Sequence, residues 1–80
     1  MQEPSINKDL TYGEKAVGIT FNPSSNPIVD AIKQEYAHII DTMDDLRSTS
    51  NNPEVKRLAS VAITEAQTAQ MWAVRALTYK

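Results

Sequence analysis

An aromatic residue and a lysine beside a helix start are the residues of this chain best suited to hold a ligand. Phe21 opens the segment FNPSSN, whose small polar residues lead directly into a helix N-terminus. Such a segment can stack a nucleobase and offer backbone N–H groups to a phosphate. Lys33, about two turns into the helix, can reach an anion held there. On the residues alone the commoner arrangement is a hydrophobic staple formed by Phe21 over the helix start, with Lys33 facing solvent.

A second chemical pattern is Glu-x-x-His, formed by Glu35 and His38 in the same helix. Residues at this spacing project from one helix face, and two-iron carboxylate bundles bind metal with such pairs. Glu65 in the second helix is the candidate for a bridging carboxylate, but it lies between two alanines rather than on a clear carboxylate face. A surface or interface pair is the simpler interpretation, and we predict no metal site.

Other polar clusters do not indicate catalysis. The acidic residues at 41, 44 and 45 lack the glycine-bearing loop and alternating spacing of an EF-hand, so a solvated acidic face is expected. The hydroxyls of residues 48–50 lie in a turn without a His or Asp arrangement that would activate a nucleophile. We therefore predict a protein that is not an enzyme and that needs no cofactor.

The composition describes one small domain without disulfides, since the chain has 80 residues, no cysteine and a net charge of −2. A chain this short buries only about 60% of its unfolded surface, so association is expected. The basic residues are scattered, which disfavours binding to duplex nucleic acid. No apolar run approaches the roughly 20 residues of a membrane span, and the polar N-terminus is unlike a signal peptide. We expect a cytoplasmic protein that does not bind membranes.

Two Asn-Pro pairs mark the starts of the helices that position these residues. Asparagine caps the free N–H groups of a first turn, and proline at the first helical position has the required φ. Apolar residues at three-and-four spacing then predict an all-α fold with helices over about 27–47 and 53–79. The short polar link RSTSNN makes the two helices an antiparallel hairpin, which defines residues 27–80 as one unit.

Residues 1–26 are predicted to form an extended N-terminal arm and a loop beside the ligand. Residues 1–20 show no sustained helical period, and Gly13 and Gly18 interrupt the segment twice. A short strand is expected around Ala16–Phe21. The arm would become ordered only against a partner or a ligand.

Six alanines recur along the second helix at alternating spacings of three and four, from Ala59 to Ala76. A stripe of small side chains lets another helix approach closely. Because apolar residues such as Trp72 lie partly off this stripe, one partner helix cannot cover them all. We therefore predict a homo-oligomeric helical bundle. A helical interaction or structural oligomerisation module without a small-molecule ligand would explain this pattern equally well.

Two blocks of the chain together resemble a known family. FNPSSNPIVDAIKQEYAHIIDTM and RLASVAITEAQTAQMWAVRAL are similar to phage-encoded anti-CBASS type two proteins and the related anti-Thoeris type one sponges, over about residues 18–78. The most specific parts are the aromatic-Asn-Pro-Ser start, Ala-Ile-Thr-Glu and Met-Trp-Ala-Val-basic-Ala. The resemblance implies a two-helix protomer in a compact oligomer, commonly a hexamer. Such proteins sequester cyclic-nucleotide immune signals in the cytoplasm of an infected bacterium and perform no chemistry on them.

The resemblance also implies site residues. In the family an aromatic side chain stacks on a base of a cyclic dinucleotide such as cGAMP and a lysine of the first helix contacts the phosphates; Phe21 and Lys33 match these positions. Phenylalanine lacks the hydroxyl of a tyrosine sometimes found there, which keeps stacking but removes a hydrogen bond. A separate cyclic-trinucleotide pocket is implied for Asn22 and Arg57, and Arg75 and Thr78 near the C-terminus are candidates to complete either pocket. The alternatives are an ion pair of Arg57 with Glu54 and a solvated Arg75.

Overall fold

The structure, a computed structural model, describes residues 9–80. The helices are α1 (Tyr12–Val17), α2 (Pro27–Thr49) and α3 (Pro53–Leu77), and no strand occurs within the described range. The long helices α2 and α3 pack as an antiparallel hairpin, and α1 lies mainly against α2. This confirms the all-α hairpin predicted from the sequence. No helix of residues 9–80 combines the length and apolar character that crossing a membrane requires.

Both Asn-Pro pairs start helices as predicted. The side-chain oxygen of Asn26 accepts a hydrogen bond from the Ile28 N–H at 2.9 Å, and that of Asn52 accepts one from the Glu54 N–H at 2.9 Å. Each cap satisfies a donor that the helix itself leaves without a partner. The observed ends of the helices differ by only two residues from the predicted ends at 47 and 79.

The N-terminal segment is a short helix where an extended arm and a strand were predicted. Thr11 and Glu14 form a capping box, with the Glu14 N–H 3.1 Å from the Thr11 hydroxyl and the Thr11 N–H 2.9 Å from the Glu14 carboxylate. Gly18 ends the helix in the left-handed region at φ 64°. The predicted strand around 16–21 is therefore wrong. Residues 1–8 of the predicted arm lie outside the described range.

The core forms where the three helices meet. Val17 from α1, Ala37 and Ile40 from α2, and Ile63 from α3 are all buried in one apolar cluster. Gly13 allows this close packing, because a Cβ at that position would overlap the Ala37 carbonyl oxygen. α1 is thereby held on one side of the hairpin.

The alanine stripe of α3 is only partly covered by the rest of the hairpin. Ala59 is buried and Ala66 packs against the core cluster, so these alanines serve the hairpin itself. Ala69 and Ala76 are exposed on the outside of α3. Within one chain the hairpin therefore covers only part of the stripe. An alternating three-and-four pattern drifts by about 20° per heptad around a straight helix, which places Ala69 and Ala76 towards the outer edge of the stripe.

Candidate ligand-binding site

Phe21 lies in the turn between α1 and α2 and presents its ring to solvent. Its N–H donates to the Gly18 carbonyl at 2.9 Å, which folds the turn back onto the end of α1. The side chain is 68% exposed. A hydrophobic staple would bury this ring against the start of α2, so the staple interpretation does not hold.

Lys33 is buried, although its place in the sequence suggested a solvent-facing side chain. Only 4% of the residue is exposed. Its ammonium donates to the carbonyl oxygens of Gly18, at 2.9 Å, and of Phe21. The same nitrogen lies 5.5 Å from the centre of the Phe21 ring. Lys33 therefore ties the turn to α2 and places a positive charge beside the exposed aromatic ring.

Two clefts meet at these two residues. The first, which we call the loop cleft, has a volume of about 230 Å³ and is bounded by residues 21–24 and the ends of the hairpin. The second, the glutamine cleft, has a volume of about 540 Å³ and lies between α1, α2 and α3. Phe21, Lys33 and Val74 line both. The larger volume is within the range of about 300–1,000 Å³ typical of small-molecule sites.

The Asn22 side chain stabilises the segment that bounds the loop cleft. Its amide nitrogen donates to the Asn26 carbonyl at 2.8 Å and to the Asp30 carboxylate at 3.0 Å. Its oxygen accepts from the Ser24 hydroxyl at 3.1 Å and from the Asn26 N–H at 3.3 Å. These bonds use both amide N–H groups and both acceptor positions. The side chain thus holds the loop in shape.

The other residues implied for a trinucleotide pocket separate along α3. Thr78 lines the loop cleft with Asn22. Arg75 is exposed and its guanidinium lies 4.9 Å from the centre of the Tyr79 ring. Arg57 lies about 30 Å from Thr78 along the helix, at the opposite end of the hairpin. One protomer therefore brings together Asn22 and Thr78 but not Arg57.

Arg57 forms the ion pair with Glu54 that the sequence offered as an alternative. The two nitrogen–oxygen distances are 3.0 and 2.6 Å. The hydrogen bond from Arg57 lowers the pKa of the Glu54 carboxyl, and the same contact raises the pKa of Arg57. Because both side chains are more than half exposed, the pair contributes little to stability.

The possible two-iron ligands do not converge within one chain. Glu35 and His38 lie on the exposed side of α2, and Glu65 is exposed on α3. Among residues 9–80, no three side chains of the metal-ligating types lie close enough to hold one ion.

Two glutamines that were not predicted as site residues line the larger cleft, Gln67 and Gln70. Gln67 donates to the Ala16 carbonyl at 3.4 Å and so connects α3 to α1. Gln70 is buried. The sequence contained one sign of this burial. Gln70 lies seven residues after the apolar Ile63, which places a polar side chain on the core-facing side of α3.

The fold and these clefts define a small helical-hairpin protein. A lysine ammonium and an exposed aromatic ring lie where its two clefts meet. Residues 14–78 match the family model described as Acb2/Tad1, hairpin domain. The chain therefore belongs to this family, the anti-CBASS type two and anti-Thoeris type one sponges, as the sequence resemblance predicted. The family is non-catalytic, and membership suggests a cyclic-nucleotide sponge function. Comparisons with curated proteins and with solved structures found no significant match.

Proposed function

We propose that this protein captures cyclic oligonucleotide immune signals without altering them and so antagonises CBASS-type or related antiphage defence. The ligand class we favour is a cyclic dinucleotide such as cGAMP. Phe21 would stack on a base and the Lys33 ammonium would bind a phosphate. The protein would act in the cytoplasm of the infected bacterium, where it would lower the concentration of free signal.

The observation that carries this proposal is the buried ammonium of Lys33, which forms no ion pair with a carboxylate of residues 9–80. The two ion pairs among residues 9–80 join Arg47 to Asp44 and Arg57 to Glu54, so neither involves Lys33. Buried charges are costly unless they are neutralised. The ammonium has three N–H groups, of which two donate to backbone carbonyls. The third N–H and the positive charge of the ammonium would bind an anion that enters at the Phe21 ring.

Replacing Phe21 with alanine is expected to weaken cyclic-dinucleotide binding by roughly 10- to 100-fold, because stacking contributes about 1–3 kcal/mol per base. Phe21→Tyr keeps the ring and should keep the affinity. Tyr79→Ala, which removes another exposed aromatic outside both clefts, is the matched control and should bind as the parent does. Isothermal titration calorimetry of the four proteins measures the difference. Equal affinity of Phe21→Ala and the parent would show that the dinucleotide site is assigned to the wrong residue.

The same calorimetry with the parent protein tests the function itself. The panel consists of cyclic dinucleotides, cyclic trinucleotides and isomers of cyclic ADP-ribose. Sub-micromolar binding to any member supports the sponge function, and fewer bound ligands than subunits would place the pockets between subunits. No binding across the panel by a folded protein would instead favour a helical interaction module.

We further propose that the protein works as a homo-oligomer, a hexamer, as the family resemblance implies. α1 covers one side of the hairpin, where Gly13 docks near Ala37 and Gln67 contacts Ala16. Ile39 lies two residues after Ala37, and Ala69 lies two residues after Gln67. Two residues correspond to a rotation of about 200° around a helix, so Ile39 and Ala69 face away from α1.

The side of the hairpin that faces away from α1 is apolar and exposed. Its larger members are Ile39, Leu46 and Leu58, which are between 42% and 52% exposed. An exposed apolar face of this kind in a protein marks an interaction surface. A second hairpin packed here would leave the clefts near Phe21 free. In such an assembly Arg57 of one subunit could approach Asn22 of another, which a cyclic-trinucleotide pocket made of both residues would require.

Replacing Ala69 with phenylalanine is expected to shift the assembly towards smaller species. The larger side chain would overpack a close interface, at a cost of about 1–3 kcal/mol per site. Ala69 gives a cleaner test than Ala66, because Ala66 also packs against the core of its own hairpin. Analytical ultracentrifugation measures the size. Ala31→Phe, at an exposed alanine on the outer side of α2, is the control and should keep the parental size. Parental size for Ala69→Phe as well would contradict this interface.

A further inference from the structure

Gln70 is a buried amide that has no hydrogen-bond partner among the described residues. Only 5% of the residue is exposed, and its side chain makes no hydrogen bond to any residue between 9 and 80. Gln67, one turn earlier on the same helix, does find a partner in the Ala16 carbonyl. A buried amide that lacks hydrogen bonds destabilises a fold, so packing alone does not explain a glutamine at this position.

The register of the hairpin places Gln70 at the level of Lys33. Ile40 and Ile63 share the core cluster, one from each long helix. The two helices are antiparallel, so a step of seven residues towards the N-terminus of α2 runs in the same direction as a step of seven residues towards the C-terminus of α3. Each step is about two turns long, and the steps start at Ile40 and Ile63. These steps reach Lys33 and Gln70, which both line the glutamine cleft. The apolar core therefore gives way to a polar layer, and this layer borders the larger cleft.

The two polar residues of this layer differ in what they can bind. Lys33 offers only donors and a positive charge, which suits a phosphate. The Gln70 amide offers an N–H donor and a carbonyl acceptor side by side, which suits an uncharged group with one acceptor next to one donor. On its N7 edge adenine presents such a pair, the N7 acceptor and the N6 amino donor, whereas the same edge of guanine presents two acceptors, N7 and O6.

We propose that Gln70 is a specificity-determining residue that reads the N7 edge of an adenine base in the glutamine cleft. The inference rests on the proposed function, since it assumes that a cyclic nucleotide enters beside Phe21. The phosphate lies at Lys33, and the base extends between Phe21 and Met71, which line the cleft. Binding then supplies hydrogen bonds to an amide that receives none from residues 9–80. The destabilising amide is retained because it discriminates between ligands.

The experiment compares the parent protein with Gln70→Leu, using cyclic di-AMP and cyclic di-GMP of the same linkage. Leucine has a similar volume but no polar group. We expect Gln70→Leu to lose roughly 10- to 100-fold in affinity for cyclic di-AMP and to change little for cyclic di-GMP. A 7-deaza-adenine analogue, which lacks N7, should bind the parent more weakly and Gln70→Leu without that penalty. In the absence of ligand, Tm should rise by roughly 4–8 °C because the unpaired amide is gone.

Two controls separate recognition from structure. Gln67→Leu makes the same substitution one turn away, and it should change the affinities for both ligands by the same factor. Gln70→Met provides a second, more flexible apolar replacement should the leucine variant not fold. An equal change in both affinities, or a fall in Tm with base preference retained, would overturn the role of Gln70 and leave the sponge function intact. If the parent protein bound no cyclic nucleotide at all, the proposed function and this inference would both be wrong.

Discussion

Replacing Lys33 with methionine is expected to reduce the affinity for cyclic dinucleotides on the order of 100-fold. Methionine fills most of the same space but carries no charge and no donor. The variant loses the contact to the ligand phosphate and also releases the carbonyls of Gly18 and Phe21 that the ammonium holds. Phe21 would then no longer be positioned at the cleft junction. Calorimetry with a cyclic dinucleotide gives the affinity, and circular dichroism gives the helix content.

Lys15→Met is the matched control for this prediction. Lys15 also lines the glutamine cleft, but it is exposed and solvent screens its charge. Its removal should cost far less affinity, and the loss should shrink as salt is added. If both lysine variants lost the same affinity, the overall charge of the cleft would drive binding, and the buried ammonium would have no special role. A Lys33→Met protein with parental affinity would remove the main support for the proposed site.

Gly13→Ala is expected to lower the free energy of unfolding by about 3 kcal/mol. The added Cβ would overlap the Ala37 carbonyl oxygen and lie 2.9 Å from the Asp41 carboxylate. α1 must therefore move away, which also breaks the 2.7 Å hydrogen bond from the Gly13 N–H to Asp41. Because the glutamine cleft includes the end of α1, ligand affinity should fall as well. Urea denaturation followed by circular dichroism measures the stability.

Gly18→Ala separates close packing from backbone conformation. Gly18 has φ 64°, but a Cβ there would meet only the Phe21 Cβ at 3.9 Å. Its replacement should cost about 1–2 kcal/mol for the left-handed conformation alone. Both variants must be compared at one protomer concentration, since the stability of an oligomer depends on it. A Gly13→Ala protein as stable as the parent would mean that α1 does not dock against Ala37.

Features that depend on a few neighbouring residues could be predicted from the sequence. Each long helix starts at an Asn-Pro pair, because the cap and the first turn involve only adjacent residues. The ion pair of Arg57 with Glu54 belongs to the same group, since its partners are one turn apart. Family membership was also predicted, because the motifs that carry it are contiguous in the chain.

The short helix α1 was missed although local signals for it were present. Its six residues make fewer than two turns, too few to show a helical period. The capping box of Thr11 and Glu14 and the glycine at position 18 were visible in the sequence. A helix this short is stable only when it is docked. The docking partners of Gly13 lie in α2, so the segment itself contained no sign of them.

The sequence by itself therefore determined the hairpin, its caps and the family, and it pointed to Phe21 and Lys33 as candidate residues. Only the tertiary structure decided that Lys33 is buried against the turn and that Gln70 lies at the same level of the core. It also buried Ala59 in the hairpin and left Ala69 and Ala76 exposed. The physical reason is that helix formation follows from contacts within a turn or two. Burial follows from the register between helices that meet across the fold, which no local pattern specifies.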